Sequence, residues 1–258
     1  MNDVLLQTRD ARGVVTLTLN DASRFNALGS AMLQALQDAL DELAQDDNVR
    51  VVVLAANGKA FCAGHNLKEM AAQPELAHYQ DLFAQCSRMM LSITKLPVPV
   101  IARVHGMATA AGCQLVAQCD LAVASTDASF ATSGIQYGLF CATPSVPLVR
   151  NIPFKQAMEM LLTGDFIDAR TAQAQGLVNR VVAPDALDAE VEQLIRAIVQ
   201  KPATAVRMGK ALLYRQRELG LQAAYALAGE TMACNMMDAD AQEGAQAFAQ
   251  KRTPRWRA

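Results

Sequence analysis

The run Val49 to Ala55 (VRVVVLA) is an almost unbroken, β-branched apolar segment, the pattern of a strand covered on both faces of its sheet. Such a strand needs a layer on each side, and the flanking sequence supplies helices for them. Before it, Met32, Leu33, Leu36, Leu40 and Leu43 recur at helical spacing from Ser30 to Ala44, and Asp46-Asp47-Asn48 closes the segment. Earlier still, residues 13–19 (GVVTLTL) alternate as a strand, and Asn20-Asp21-Ala22-Ser23 turns the chain. Downstream come a glycine-containing loop from Asn57 to Asn66 and an amphipathic helix over 75–95 that Pro97 and Pro99 end. A strand from Val98 to Val104 follows, then a small-residue segment from Gly106 that becomes a helix up to Gln118, then a strand at Leu121-Ala-Val-Ala. Strand–helix–strand units recurring in this way, with right-handed crossovers, predict an α/β fold.

After Gly138 the pattern changes to mainly helical, with helices expected at 144–151, 154–163, 168–175, 184–199, 202–238 and 238–251, and extended chain only from Leu177 to Val182. Long helices rich in Ala and Met at a chain end bury their apolar face against a neighbouring lobe or subunit. A length of 258 residues suits one large domain, or a domain with a small helical appendage.

The formal charge of −2 provides no broad basic surface, so neither nucleic acid nor an anionic membrane is expected as a main partner, and an anionic ligand must meet local cations. Gly, Gln, Asp and Lys break every apolar run before it reaches the ~20 residues of a membrane helix. The opening MNDVLLQTRDARG has neither the apolar core of a signal peptide nor an Arg/Ser-rich amphipathic pattern, which makes cytoplasm the default expectation. Cys62, Cys86, Cys113, Cys119, Cys141 and Cys234 form no C-x-x-C pair and are read as reduced thiols, without a metal site.

Two constellations can carry chemistry. One is Phe61-Cys62-Ala63-Gly64-His65-Asn66-Leu67-Lys68-Glu69-Met70, directly after a strand and its loop. The other is Val104-His105-Gly106, then Ala110-Ala111-Gly112-Cys113-Gln114-Leu115, ending at Cys119-Asp120. Small residues at a strand-to-helix junction let a ligand approach backbone N–H groups, and a helix N-terminus favours anionic oxygen. Either cluster alone serves close packing as readily as binding.

Their combination resembles the enoyl-CoA hydratase/isomerase (crotonase) family. The first segment is similar to that family's A-G-A-D-L loop and the second to its G-G-G-C-E-L helix start followed by C-D. Arg24-Phe25-Asn26-Ala27-Leu28 resembles its R-x-N-A-L segment, and Glu243-Gly244, Ala247-Phe248 and Lys251-Arg252-Thr253-Pro254 resemble its closing E-G-x-x-A-F-x-x-K-R-x-P. The resemblance implies a crotonase-like spiral of β-β-α units over residues 1–200 and a C-terminal helical region, 201–258, used in assembling a homotrimer or a dimer of trimers. It further implies an acyl-CoA ligand: a coenzyme A thioester as substrate, with no separate cofactor and no metal. By position, the backbone amides of His65 and Ala111 form an oxyanion hole for the thioester carbonyl, a device in which one lost donor costs on the order of 10²–10³ in rate. The thioester site then takes in Ala63, Asn66 and Leu67 on the loop. Arg24, Lys59, Lys68 and Lys251 are candidate phosphate contacts, Ala27 leaves room for the pantetheine arm, and Phe248 with Lys251 reaches an adenine from a neighbouring subunit.

The chain departs from the family where hydratases carry their two catalytic glutamates. Gln114 occupies the first position and Gly134 the second. A glutamine amide can orient water but cannot titrate, and glycine has no side chain, so the two-carboxylate addition of water cannot run. Substitutes considered are His65, Tyr137 and Cys141, with packing as the alternative reading of His65 and of Cys141. The A-G-H-N variant also resembles the methylmalonyl-CoA decarboxylase branch. Three activities follow as expectations: a weak or altered hydratase-type lyase, a non-catalytic acyl-CoA-binding protein, or decarboxylation or thioester hydrolysis in the same site. The segments AAGCQLVA (110–117), CDLAVAS (119–125) and GLFC (138–141) further resemble a branch of the family in which both glutamates are missing.

Overall fold

The structure is a computed structural model that describes residues 3–257. In chain order its elements are β1 (Leu5–Arg9), β2 (Val14–Leu19), α1 (Ser30–Ala44), β3 (Val51–Ala56), β4 (Ala60–Cys62), α2 (Leu67–Ala72), α3 (Leu76–Lys95), β5 (Val100–Val104), β6 (Met107–Thr109), α4 (Ala111–Gln118), β7 (Leu121–Ser125) and β8 (Ser129–Ala131). The second half runs α5 (Ala142–Asn151), α6 (Phe154–Thr163), β9 (Ile167–Asp168), α7 (Ala169–Gln175), β10 (Arg180–Val182), α8 (Leu187–Val199), α9 (Ala203–Gln216), α10 (Leu221–Met236) and α11 (Ala239–Ala249). A 3₁₀ turn over Ser133–Tyr137 lies between β8 and α5.

The apolar run around Val51–Ala56 sits inside a six-stranded sheet of order β1-β2-β3-β5-β7-β10, antiparallel at β1·β2 and parallel elsewhere. Its side chains divide by parity, as a strand covered on both faces must. Val52 and Leu54 join the core under α1 and α3 with Leu33, Leu36, Met89 and Ile93. Val51 and Val53 face the other way, with Ile101 and Val123, onto Leu187, Val191 and Ile195 of α8.

A second, four-stranded sheet of order β4-β6-β8-β9 is built from very short strands. Each passage of the chain gives one strand to the large sheet and the next to the small one, β3 then β4, β5 then β6, β7 then β8, before a helix returns it. That repetition is the crotonase-like spiral of β-β-α units. The small sheet went unread in the sequence because three-residue strands carry no periodicity. β1 went unread because, as an edge strand with mostly exposed side chains, it lacks an apolar alternation.

The expected single helix over 202–238 is two. α9 ends at Gln216, and Gly220, in extended conformation, opens α10. Only Ala224 of α10 is buried, whereas Leu221, Tyr225, Met232 and Met236 are exposed. α9 is fastened to the core through a buried cluster. Lys210 Nζ donates to Asp120 Oδ2 (2.7 Å), Ile93 O (2.9 Å) and Val98 O (2.9 Å), and the Tyr214 hydroxyl donates to Asp120 Oδ1 (2.8 Å). The aspartate of the Cys119-Asp120 motif therefore anchors a helix ninety residues away, a use that spacing alone does not reveal.

Candidate active site

Two strand-to-helix junctions meet at the small sheet, where β4 and β6 are parallel neighbours. Glycines set their approach. Gly64 has φ +88, and a Cβ there would stand 2.8 Å from Ala110 Cβ and 3.0 Å from Ala111 N. A Cβ at Gly112 would lie only 2.1 Å from Cys62 O, so α4 rests directly on the end of β4. The Arg24–Leu28 segment braces the first junction from behind. Asn26 is fully buried; its amide donates to Asn57 O (2.8 Å) and Ala60 O (2.9 Å), and its Oδ1 accepts from Asp21 N–H (2.9 Å). Leu28 N–H donates to Gly64 O (2.7 Å) and Ala63 N–H to Phe25 O (3.0 Å). Phe25 and Asn26 both take left-handed backbone for this, at φ 53 and 54.

Among the described residues, neither the His65 N–H nor the Ala111 N–H has an acceptor. Ala111 is the first residue of α4, where amides have no intrahelical partner. The residue before it, Ala110, holds φ 50 and ψ −120, a conformation that favours glycine and marks stored strain at the junction. Asn66 then caps α2, accepting from the amides of Lys68 (3.1 Å) and Glu69 (3.4 Å), while its own amide donates to Glu69 Oε1 (2.8 Å).

Two side chains at these junctions carry buried acceptors without partners. His65 Nδ1 lies 3.1 Å from Leu28 O, which can only accept, so the ring proton is assigned to Nδ1 and Nε2 is left bare and unpartnered. The ring meets Phe83 edge-on at 5.4 Å. Burial pushes the His65 pKa below its ordinary value, with the Leu28 contact opposing, which favours neutral imidazole with an available Nε2 lone pair. Gln114, one turn into α4 and 4% exposed, has an unpartnered Oε1. It lines a cavity of about 840 Å³ bounded by α3, α4, α5, α8 and α9.

Gly134 is the second residue of the 3₁₀ turn after β8, and the space where its side chain would begin is filled. A Cβ there would stand 2.6 Å from Leu139 O and 2.8 Å from Cys141 Sγ. Cys141 is buried; desolvation pushes its thiol pKa up and a hydrogen bond from Gly134 N–H pulls it down. Tyr137, considered as a substitute proton donor, is 74% exposed to solvent. His105 Nε2 is 2.9 Å from Gly58 O, a loop-bracing contact made by a half-buried ring.

The remaining expected contacts separate into groups. Ala27 and Ala63 are half-buried beside the brace, and Leu67 and Lys68 are exposed at the start of α2. Arg24 is exposed and 3.6 Å from Asp21. Phe248 and Lys251 stand exposed at the end of α11, which packs on α10. The closing motif also has a structural use: Arg252 donates to Glu243 through Nη1 and Nη2 (2.5 and 2.8 Å), and Trp256 would lie 3.4 Å from a Cβ at Gly244.

Residues 9–258 match the Enoyl-CoA hydratase/isomerase family. A solved enoyl-CoA hydratase of Mycobacterium smegmatis is 63% identical and superposes with a TM-score of 0.97, covering 98% of both chains. The human enoyl Coenzyme A hydratase domain-containing protein 3 structure is 42% identical, with a TM-score of 0.94 over 98% of this chain and 100% of that one. The mitochondrial protein of the same name from Xenopus laevis is 45% identical over 95% of this chain and 83% of its own length. The branch suggested by AAGCQLVA, CDLAVAS and GLFC is thus the one these two relatives name. The chain belongs to the enoyl-CoA hydratase/isomerase family.

Proposed function

We propose that the protein binds a coenzyme A thioester with its carbonyl oxygen between the His65 and Ala111 amides, and that it is a weak or altered hydratase-type lyase. The observation that carries this reading is the pair of adjacent, acceptor-free N–H groups. Two fixed donors at that point stabilise the charge that collects on the thioester oxygen when an enolate forms. Hydration of a 2-enoyl thioester adds the water oxygen at Cβ and a proton at Cα. Gln114 can orient the water but cannot take its proton, and nothing at Gly134 can supply one to Cα. The buried Nε2 of His65 supports a second reading, in which the same hole serves decarboxylation or hydrolysis of the thioester.

In this proposal no cofactor is required. Arg24, Lys59 and Lys68 meet the CoA phosphates, and Ala27 flanks the pantetheine arm. Residues 201–258, with their exposed apolar side chains on α10, assemble a homotrimer or a dimer of trimers, so that Phe248 and Lys251 reach a neighbour's adenine. The compartment in this reading is the cytoplasm; the mitochondrial designation is the frog relative's own, and cell fractionation distinguishes the two.

Substituting Ala111→Pro removes one of the two donors at the first position of α4, where no intrahelical hydrogen bond is lost. Crotonyl-CoA hydration, methylmalonyl-CoA decarboxylation, acyl-CoA hydrolysis and acyl-CoA binding are measured on wild type and variant. The expected result is slow turnover of one substrate by the wild type and a further loss of about 10²-fold or more in the folded variant. Tight binding with no turnover identifies the non-catalytic acyl-CoA-binding form, and turnover at ordinary hydratase rates contradicts the assignment of Gln114 and Gly134.

A further inference from the structure

Beside the two junctions lies a buried thiol whose proton the proposed reactions leave unused. Resting on the proposed thioester site, we infer that Cys141 is the proton donor to Cα of the acyl group, in place of the side chain that Gly134 lacks.

The 3₁₀ turn that begins at Ser133 is tied to the Ala111 junction. β6 and β8 are parallel neighbours with Thr109 opposite Ala131. Ala110 N–H donates to Ala131 O (3.0 Å), and the hydroxyls of Thr109 and Ser133 are 2.7 Å apart. Gly134 follows Ser133 directly, so at most about 11 Å of chain, at 3.8 Å per residue, separates it from Ala131. The Cys141 sulfur meets Gly134 in two ways: Gly134 N–H donates to it, and the Cβ that glycine lacks would lie 2.8 Å away. The thiol therefore stands where a side chain at Gly134 would start. Cys113, the residue before Gln114, is near enough for a charge on Cys141 to oppose its ionisation. Gln114 is an independent sign that this space takes a ligand. It is 4% exposed, its Oε1 has no partner, and it lines the same cavity as Thr143, two residues beyond Cys141.

Among the substitutes for the missing acid, only this thiol combines a proton to give with a place at Gly134. His65 Nε2 is bare, and its Nδ1 proton is engaged by Leu28 O. Tyr137 is largely exposed to solvent. Burial raises the Cys141 pKa above the ordinary 9.0 and so keeps the sulfur protonated at neutral pH. When an enolate forms at the thioester, its electron pair closes a C–H bond at Cα as the S–H bond breaks, and the carbonyl re-forms. The thiolate left behind keeps the Gly134 N–H as a donor. It also sits at the N-cap of α5, where the unpaired amides of the helix start favour negative charge. A proton from solvent then restores the thiol. In reverse, the thiolate removes a proton from Cα.

Exchange of the Cα hydrogens of butyryl-CoA in D2O, followed by NMR on the intact protein, provides the test, with the Kd for butyryl-CoA measured by calorimetry. Exchange reports proton transfer at Cα whatever the overall reaction. The wild type is expected to exchange, at a rate that rises with pH to beyond 9.0 as thiolate forms. Cys141→Ala removes the donor and Cys141→Ser offers a far weaker acid, so each should slow exchange by about 10²-fold or more with the Kd unchanged. The serine hydroxyl still accepts from Gly134 N–H, so a purely structural thiol would lose nothing in that variant. Exchange at the wild-type rate in either folded variant overturns the inference, and so does a wild type that binds butyryl-CoA without exchanging it. If butyryl-CoA does not bind the wild type, it is the thioester site that fails, and the inference falls with it.

Discussion

The junctions around His65 and Ala111 and the fastening of α9 around Asp120 handle buried polar groups in opposite ways. At the fastening, Lys210 Nζ has three acceptors and Asp120 is met by Lys210, by Tyr214 and by Val100 N–H (2.7 Å). At the junctions, two amides, His65 Nε2 and Gln114 Oε1 are all without partners, and Ala110 is strained. Buried polar groups left unmade cost stability, so a region that leaves several of them together is one that something else completes. Family motifs run through both regions. The Cys119-Asp120 pair, Asn26 and the Glu243–Arg252 pair have folding roles, whereas the 63–66 and 110–114 segments leave buried polar groups without partners.

Breaking the satisfied side should have the largest effect. Lys210→Met strands Asp120 as an uncompensated buried charge and is expected to cost about 3–5 kcal/mol, read as a lowered denaturant midpoint. A Lys210→Met, Asp120→Asn double variant recovers part of that loss; if it does not, the charge is not what the fastening depends on.

The unsatisfied side responds differently. Restoring both carboxylates with Gln114→Glu and Gly134→Glu is expected to raise crotonyl-CoA hydration by about 10²-fold or more, since paired acid and base groups return. The gain comes with a loss of about 1–3 kcal/mol in stability, because the new Cβ at Gly134 must displace Leu139 O and Cys141 Sγ. An unchanged hydration rate in a folded double variant would show that these positions do not face the substrate.

Smaller again is the strain at Ala110. Ala110→Gly should stabilise the protein by about 1 kcal/mol in thermal or denaturant unfolding, because glycine adopts φ 50 and ψ −120 without its Cβ penalty. A destabilised variant would mean that the methyl group's packing against Gly64 outweighs the strain.

The smallest effects are in acidity, at the junctions and at the closing motif. The unfolded chain protonates His65 near its ordinary 6.5, whereas burial holds the folded-state pKa lower. As pH falls through 6.5 the unfolded state takes up the proton first, so stability declines until the folded pKa is reached. His65→Gln should flatten that part of the profile. The Glu243–Arg252 pair behaves in the other window: its carboxyl is pulled from 4.5 to about 2 by Arg252 and by the Arg255 amide, so its contribution persists above 4.5 and fades as pH falls toward 2. A single acid transition that His65→Gln does not alter would contradict this division.

Much of the large sheet was legible from sequence because its strands are long and apolar, and α1 was read to its observed ends, Ser30 and Ala44. The motifs around 65 and 111 were legible as strand-to-helix junctions for a similar reason: small residues and glycines leave a local signature. What escaped depends on distance along the chain or on packing. Nothing near Asp120 announces Lys210, and nothing near Gly134 announces that Cys141 Sγ and Leu139 O close over it. The vacated glutamate position reads as empty in sequence and is filled in space. Tyr137 is the converse: its neighbourhood in the chain made it a candidate, and the 3₁₀ turn faces it to solvent.

The hold of Asp120 on α9 also builds a charge pair into one wall of the 840 Å³ cavity, since Lys210, Asp120 and Tyr214 all line it. An ammonium and a carboxylate shielded from water attract more strongly than the same pair in solvent, so the lining of that wall and the fastening of the C-terminal helices rest on one contact.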